Sequence, residues 1–423
     1  MSRVRKTLRN SKVNLLFAFI TFFLAFYSRK IFLNSLGDNL IGLNATISNI
    51  LGFLNIAELG ISTAITYLLY KPLHDNNNDK LKEIVSVFAY YYRRIGLFIL
   101  CSGIILSFFL PVIFNSSDVS LEAVYATFFT SMFCSLIGYF FNYKIVLLYA
   151  DQKNYIVVTH INAISITKVI LQMVVLTYSK GNFYLYLFLE IFFACVTSIV
   201  LNTKIRKEYP WLQTSSAYGK KLRTHYPEII NKTKQLFSHS IAGFILLQTD
   251  QLLIFSFTTL GMVTVFSNYT LIIQKLIYFI EMGLSSTTAG VGSLIATNDN
   301  YRIKKVFGEL MALRYWLAGI VIFGLYQLTP SFITLWLGSN YILNNWAFYL
   351  MLINVYIMIS RQTIQSFLIG YGLFKDVWAP WVEALLNIVI SITFAINYGV
   401  TGILFGSTVS LVLIVVLWKP YFL

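Results

Sequence analysis

Apolar runs of about 20 residues or more recur along the chain, each long enough to cross a hydrocarbon core of about 30 Å. Their limits predict twelve helical spans, at 13–35, 41–70, 85–114, 119–149, 155–178, 183–203, 238–258, 264–296, 306–336, 342–371, 377–397 and 400–418. Several runs are longer than a perpendicular crossing needs, which predicts tilt or helices that project past the bilayer. The polar stretches between runs alternate in character. Odd connections are short and neutral: Leu36 to Leu40, Asn115 to Asp118, Tyr178 to Asn182, Phe257 to Gly261, Gly338 to Asn340 and Tyr398-Gly399. Even connections are basic. The first run follows a basic N-terminus but has no small-residue cleavage site, so it reads as a span and not as a removed signal peptide.

The pattern repeats. Leu36-Gly37, Asn44-Ala45-Thr46 and Glu58-Leu59-Gly60-Ile61-Ser62 return as Leu260-Gly261, Asn268-Tyr269-Thr270 and Glu281-Met282-Gly283-Leu284-Ser285. A polar basic stretch follows each copy, Asp75 to Lys82 and then Asp299 to Lys305, and an apolar run with arginine near its start comes next: Arg93-Arg94, then Arg314. Two halves with one plan predict two six-helix lobes, 1–206 and 236–423, joined by a basic linker at 207–235. Membrane transporters use such repeats to build two bundles that rock about a central site.

Composition fixes the class. Of 423 residues, 57% are apolar and 12% charged, about half the charged fraction of a soluble domain. The expected fold is an all-α polytopic membrane protein. Of 32 Lys and Arg, 22 fall in the N-terminal arm, the even connections and the C-terminal end, nine fall within spans, and only Lys180 lies in an odd connection. By the positive-inside rule both termini are cytoplasmic. The net charge of +15 is then a topology and anionic-lipid signal, not a nucleic-acid one. The linker, rich in Lys and Arg from Lys204 to Lys234, is expected to lie on anionic headgroups. Leu81, Ile84, Val85 and Phe88 form a helical stripe expected to enter along the interface.

Enzymatic constellations are missing. Cys101, Cys134 and Cys195 lie inside apolar runs, and His74, His160, His225 and His239 lack metal-ligand spacing. There is no phosphate-binding glycine loop, dinucleotide fingerprint or nucleophile elbow, and no exposed domain large enough for a nucleotide. Neither an enzyme nor a cofactor or metal is expected. Gly402 and Gly406 have the spacing of a close helix contact.

Charge inside the spans carries the functional signal, because a Lys or Arg at a helix centre costs roughly 2.5–3.5 kcal/mol on insertion scales. Arg29, Lys30, Arg93, Arg94, Lys168, Lys275, Arg314 and Arg361 lie deep, whereas Lys144 is close enough to the surface to snorkel. The acids are Glu58, Glu190, Asp250, Glu281 and Glu383. Bases outnumber acids, so pairing cannot neutralise them all. A cavity with leftover positive charge suits a pyrophosphate held by Arg29, Lys30, Arg93, Lys168, Lys275, Arg314 or Arg361. Glu58 and Glu281 occupy matched positions before a glycine and read either as interhelical ties to Arg93 and Arg314 or as ion-coupling groups. Asp250 is the best proton-relay candidate. Tyr90 to Tyr92 are placed to line a sugar path by stacking.

Gly42-Leu43-Asn44, Asn49-Ile50-Leu51, Ala57-Glu58-Leu59-Gly60-Ile61, Ala64-Ile65 and Leu69-Tyr70-Lys71-Pro72-Leu73 resemble the N-terminal signature of bacterial polysaccharide exporters. These are the O-antigen and capsule repeat-unit flippases of the multidrug/oligosaccharidyl-lipid/polysaccharide (MOP) superfamily. The resemblance implies a MATE/MOP-like fold of two lobes around a cationic cavity in the bacterial inner membrane. It implies translocation of an undecaprenyl-pyrophosphate-linked oligosaccharide to the outer leaflet by alternating access. Partners implied are that lipid-linked glycan, membrane lipids, and the polysaccharide polymerase and glycosyltransferases of the pathway. Resembling proteins often continue past the twelfth span, whereas this chain stops at Trp418-Lys419-Pro420-Tyr421-Phe422-Leu423.

Physically, a headgroup bearing sugars and two phosphates needs water, hydrogen bonds and cations to cross, while its polyprenyl tail stays in lipid. A cleft between rocking lobes supplies them. Three alternatives share part of the evidence: a cation-coupled multidrug antiporter of the same fold, a cell-wall lipid-linked precursor flippase, and a membrane glycan polymerase or ligase. Surplus intramembrane cations disfavour the first, and the short outer connections disfavour the last.

Overall fold

The computed structural model describes residues 3–58, 60–115, 117–284, 286–295, 297, 299–371, 373, 376 and 378–423, without the side chains of 3–11, 57, 235–236, 238–247, 282–283, 286–289 and 293. The basic arm up to Ser11, Leu59, His239, Met282, Gly283 and Ser285, all singled out above, lie outside the described side chains. The chain divides into two compact units, Met1–Ile241 and Ala242–Leu423. Among the described residues there is no strand.

The first unit holds α1 (Arg3–Leu36), α2 (Asp38–Leu54), α3 (Ile61–His74), α4 (Asn78–Ser107), α5 (Leu110–Ile113), α6 (Leu121–Phe140), α7 (Ile145–Ala150), α8 (Asn154–Tyr178), α9 (Phe183–Glu208) and α10 (Ser216–Leu222). Helix α11 (Pro227–Phe257) begins there and ends in the second unit. The second unit continues with α12 (Leu260–Leu284), α13 (Ser286–Ile295), α14 (Asn300–Trp336), α15 (Asn345–Tyr371), α16 (Trp378–Tyr398) and α17 (Val400–Leu411). A π-helical stretch, Val412–Trp418, leads into α18 (Lys419–Phe422).

Ten helical stretches among the described residues are long and apolar enough to span a membrane. Two of the twelve expected runs are not among them. The run expected at 41–70 is broken: α2 ends at Leu54, a 3-10 turn covers Asn55–Glu58, and Gly60 turns left-handed at φ 88 before α3 begins. A side chain is strained there and glycine is not, which is why the break falls at this residue. The other is α11, whose side chains at 238–247 lie outside the description. The run expected at 119–149 is also interrupted, by a 3-10 turn over Asn142–Lys144 between α6 and α7.

Local chemistry sets the helix starts. Asn77 caps α4 by accepting from Lys80 N at 3.0 Å, and Asp299 caps α14 by accepting from Arg302 N at 3.0 Å. Asn182 does the same for α9 with Leu185 N at 3.1 Å. In the connection just before it, Gly181 (φ 82) leaves no room for a side chain, because a Cβ there would sit 2.2 Å from Ser35 O. Beside this turn, Ala123, Leu176, Phe183, Tyr186 and Leu187 form a buried cluster that also takes in Phe32, Leu36 and Leu40, tying α1, α2, α6, α8 and α9 together.

One sequence expectation is corrected here. Leu81, Ile84, Val85 and Phe88 do not line the interface. They are buried on a single continuous α4 that starts at Asn78. The linker at 207–235 is anchored to the first unit. Its helix α10 packs on α4 so closely that a Cβ on Gly219 would lie 1.9 Å from Ser86 O. Arg223 Nη1 donates to Tyr90 OH at 2.9 Å, and Tyr226 OH donates to Glu83 Oε2 at 2.6 Å. Burial and the Glu83 acceptor push the Tyr226 hydroxyl's pKa up, so it stays a donor.

In the second unit, Gly402 and Gly406 bring α17 against α16: Cβ atoms there would stand 2.3 Å from Phe394 O and 2.3 Å from Ser391 Oγ. Dense packing of this kind is what small residues four apart permit.

Candidate functional site

The break at Gly60 ends the 3-10 turn on Glu58 and places its carboxylate among hydroxyls. Tyr92 OH donates to Glu58 Oε1, and Tyr139 OH lies 2.7 Å from Oε2. Tyr139 OH is also 3.0 Å from Asn55 Oδ1, which accepts from Ser135 Oγ at 3.3 Å. Arg93, the expected partner, is exposed and makes no contact with Glu58. The reason is angular: each residue along a helix turns about 100°, so Arg93 leaves the face that Tyr92 presents to Glu58. Of the three neighbouring tyrosines, Tyr91 lines a cavity of about 440 Å³. Tyr90 and Tyr92 are buried, and the Tyr90 ring lies 5.5 Å from both the Arg94 and the Arg223 guanidinium.

Elsewhere in the first unit, Arg29 lines a cavity of about 210 Å³ with Phe32, Asn44, Ser48 and Tyr186. Asn44 Nδ2 donates to Tyr186 OH at 3.1 Å. Lys168 Nζ lies 2.7 Å from Glu190 Oε2, whose other oxygen accepts from Gln172 Nε2 at 2.8 Å. Gln172 also donates to the Tyr186 carbonyl at 3.4 Å, which connects this cluster to the cavity wall. Lys30 is exposed.

In the second unit, Arg314 is buried and its Nη1 lies 2.6 Å from Glu281 Oε1, the pair that the repeat suggested. Arg361 Nη1 stands 4.0 Å from Glu383 Oε1, beyond hydrogen-bond reach. Glu383 is 3% exposed, and that oxygen has no hydrogen-bond partner. Lys275 is half-buried with no partner among the described residues.

Asp250 sits in a neutral polar network. Ser407 Oγ donates to Asp250 Oδ1 at 2.9 Å, and Asn387 Nδ2 donates to Ser407 Oγ at 2.8 Å. Asn387 Oδ1 is buried and unpartnered. One residue along α17, Thr408 Oγ1 donates to Asn354 Oδ1 at 2.7 Å.

The sequence reading thus found the charges but missed the residues that hold them: Tyr92, Tyr139, Gln172, Asn387 and Ser407. Their signal was present, since a neutral polar side chain in an apolar run needs a hydrogen-bond partner once it is buried. Among the described residues, no group of three or more His, Cys, Asp or Glu side chains could hold a metal ion.

The chain has the fold of MOP superfamily transporters. It is similar to an inward-facing multidrug resistance MATE family transporter of that superfamily, with a TM-score of 0.68 at 13% identity over 97% of each chain. It is similar also to the lipid II flippase MurJ in an inward closed conformation, with a TM-score of 0.67 at 16% identity over 96% of this chain and 87% of the other. No family model matches the chain, and no curated protein matches it significantly in sequence.

Proposed function

We propose that this protein is a flippase that carries an undecaprenyl-pyrophosphate-linked oligosaccharide repeat unit from the cytoplasmic to the outer leaflet by alternating access. It serves O-antigen, capsule or exopolysaccharide synthesis, with the polysaccharide polymerase and glycosyltransferases of that pathway as partners. It sits in the bacterial inner membrane with its basic connections and both termini in the cytoplasm, as the lysine and arginine asymmetry requires. The folds of a lipid II flippase and of a multidrug transporter both support a transport role and leave the cargo to be argued from charge.

One observation carries the choice of cargo. Glu190, Glu281 and Glu383 each face a cation, at 2.7, 2.6 and 4.0 Å, whereas Lys30, Arg93, Arg94 and Lys275 have no carboxylate partner among the described residues. Positive charge left over after internal pairing needs an anion to balance it, and a pyrophosphate is a strong acceptor for it. Arg29 stands on a cavity wall beside neutral donors, in a position to take part. Asp250, held by Ser407 and faced by no cation among the described residues, is the ion-coupling group of this reading.

The test uses purified protein in liposomes with a fluorescent polyprenyl-pyrophosphate oligosaccharide, reading the fraction that becomes accessible on the opposite leaflet. Protein-dependent movement that fails when a neutral linker replaces the pyrophosphate supports the proposal. Efflux of an organic cation, with no lipid movement across several glycans, moves the chain to the antiporter reading.

A further inference from the structure

A second cationic site, lined by none of these charges, lies at the basic end of the first unit. A cavity of about 360 Å³ opens where the 3-10 turn between α6 and α7 meets the end of α9. Lys144 and Arg206 both line it, with Ser198 and Asn202 as neutral polar groups and Phe141 and Ile199 as apolar ones. Asn142 Oδ1 accepts from Ser198 Oγ at 2.8 Å and from Asn202 Nδ2 at 3.3 Å, which fixes the turn that carries Lys144 to α9.

The two cations lie close enough to repel each other, and no carboxylate lines the cavity among the described residues. The acids nearest to Arg206 and Lys144 along the chain are already taken: Lys153 Nζ lies 2.9 Å from Glu208 and 3.0 Å from Asp151. Like charges held together without a counter-charge are unfavourable unless an anion lies between them.

Depth and exposure identify the anion. Arg206 lies in the last turn of α9, about 35 Å along the helix from its start at Phe183, just past the thickness of a hydrocarbon core. Ile199, two turns back, lies at hydrocarbon depth. Ile199 is 66% and Phe141 60% exposed, so the apolar edge of the cavity is open outward. A water-soluble anion has no use for such an edge, whereas a lipid lays its chains along it and its headgroup against the cations.

We propose that Lys144 and Arg206 bind the phosphate of an anionic membrane lipid, whose acyl chains lie against Phe141 and Ile199. The site is distinct from the intramembrane charges assigned to transport, and its occupancy does not depend on what the protein carries.

The experiment titrates phosphatidylglycerol into the full-length protein in neutral detergent and follows bound lipid by native mass spectrometry, with phosphatidylcholine as the uncharged comparison. Lys144→Gln/Arg206→Gln is expected to weaken phosphatidylglycerol binding about thirtyfold, from the attraction that two basic residues exert on anionic lipid. Lys144→Arg, which keeps the charge, retains wild-type affinity, and phosphatidylcholine binding is unchanged throughout. Lys220→Gln/Lys221→Gln on α10, two residues that do not line the cavity, leaves binding intact. Should the double variant misfold, Arg206→Gln, whose side chain is exposed, carries the test alone. Wild-type affinity in the cavity variants, or an equal loss in the α10 variant, overturns the site. Binding of inorganic phosphate with no binding of phosphatidylglycerol, lost in the cavity variants, overturns the lipid assignment in favour of a free anion.

Discussion

Tyr92 and Arg314 occupy the same place in the two repeats. Each lies fifteen residues past its helix cap, Asn77 for Tyr92 and Asp299 for Arg314, and each donates a hydrogen bond to the glutamate of its own repeat, Glu58 or Glu281. The two units use one geometry with different electrostatics. Glu281 is neutralised by a guanidinium. Glu58 meets tyrosine hydroxyls and, among the described residues, no cation.

That difference separates the two glutamates in their response to mutation. Arg314→Ala leaves the half-buried Glu281 without its cation, a loss of up to about 3 kcal/mol, the lower end of the cost of removing one partner of a buried pair. The variant should show a large drop in melting temperature in detergent and reduced protein level, whereas Arg314→Ala/Glu281→Ala recovers most of the loss. A single variant as stable as wild type is incompatible with a buried pair at this place.

Tyr92→Phe and Tyr139→Phe each remove one hydroxyl donor from Glu58. A hydrogen bond to a charged group contributes about 1.5–3 kcal/mol, so each variant should lose stability by roughly that amount. In the Glu58→Gln background the loss from Tyr92→Phe shrinks towards the lower value of a neutral bond. Equal effects in both backgrounds, measured by thermal unfolding, would show that Tyr92 acts through packing alone.

How far the chain could be read without coordinates depends on which property a residue's role uses. Repeat, class and charge asymmetry need only position along the chain, so the Glu58–Glu281 correspondence and the long apolar helices were visible. Contacts need the rotational phase of each helix, and phase is lost wherever a run is interrupted. The break at Gly60 is one case: a run read as unbroken from 41 to 70 hides that Glu58 sits at a helix end. Adjacent side chains are the other. Arg93 had the right charge for Glu58, but Tyr92 had the right direction. The docking of α10 rests on Gly219 meeting Ser86 O, which no local pattern among Lys220, Lys221 and Arg223 announces.

Lys275 and Arg361 test the cationic reading separately from stability. Lys275 has no partner among the described residues, and Arg361 is held only loosely by Glu383. Lys275→Gln should leave the melting temperature near wild type while slowing movement of a pyrophosphate-linked lipid roughly tenfold, the effect of losing one charge-assisted hydrogen bond. Arg361→Gln should slow it too, with some loss of stability because Glu383 is buried. Normal transport in both variants would remove these residues from the substrate path and leave Arg29, Lys30, Arg93 and Arg94 as the remaining candidates.

Asp250→Asn addresses coupling. The amide keeps the shape of the carboxylate and still offers Ser407 an oxygen to donate to, so the local network among Asp250, Ser407 and Asn387 survives the change. Only the capacity to carry and exchange charge is lost. If Asp250 couples transport to an ion, Asp250→Asn liposomes equilibrate the lipid-linked glycan between leaflets but no longer respond to an imposed proton or sodium gradient. The wild-type protein accumulates the glycan on one side under the same gradient. The comparison of initial rate with final distribution distinguishes the two effects, since a ligand or gradient shifts an equilibrium only through the state it binds differently. A variant that keeps the wild-type gradient response excludes Asp250. Of the five intramembrane acids Glu58, Glu190, Asp250, Glu281 and Glu383, Asp250 alone faces neither a cation nor a tyrosine, and Glu58, which faces no cation, would then be the next to test.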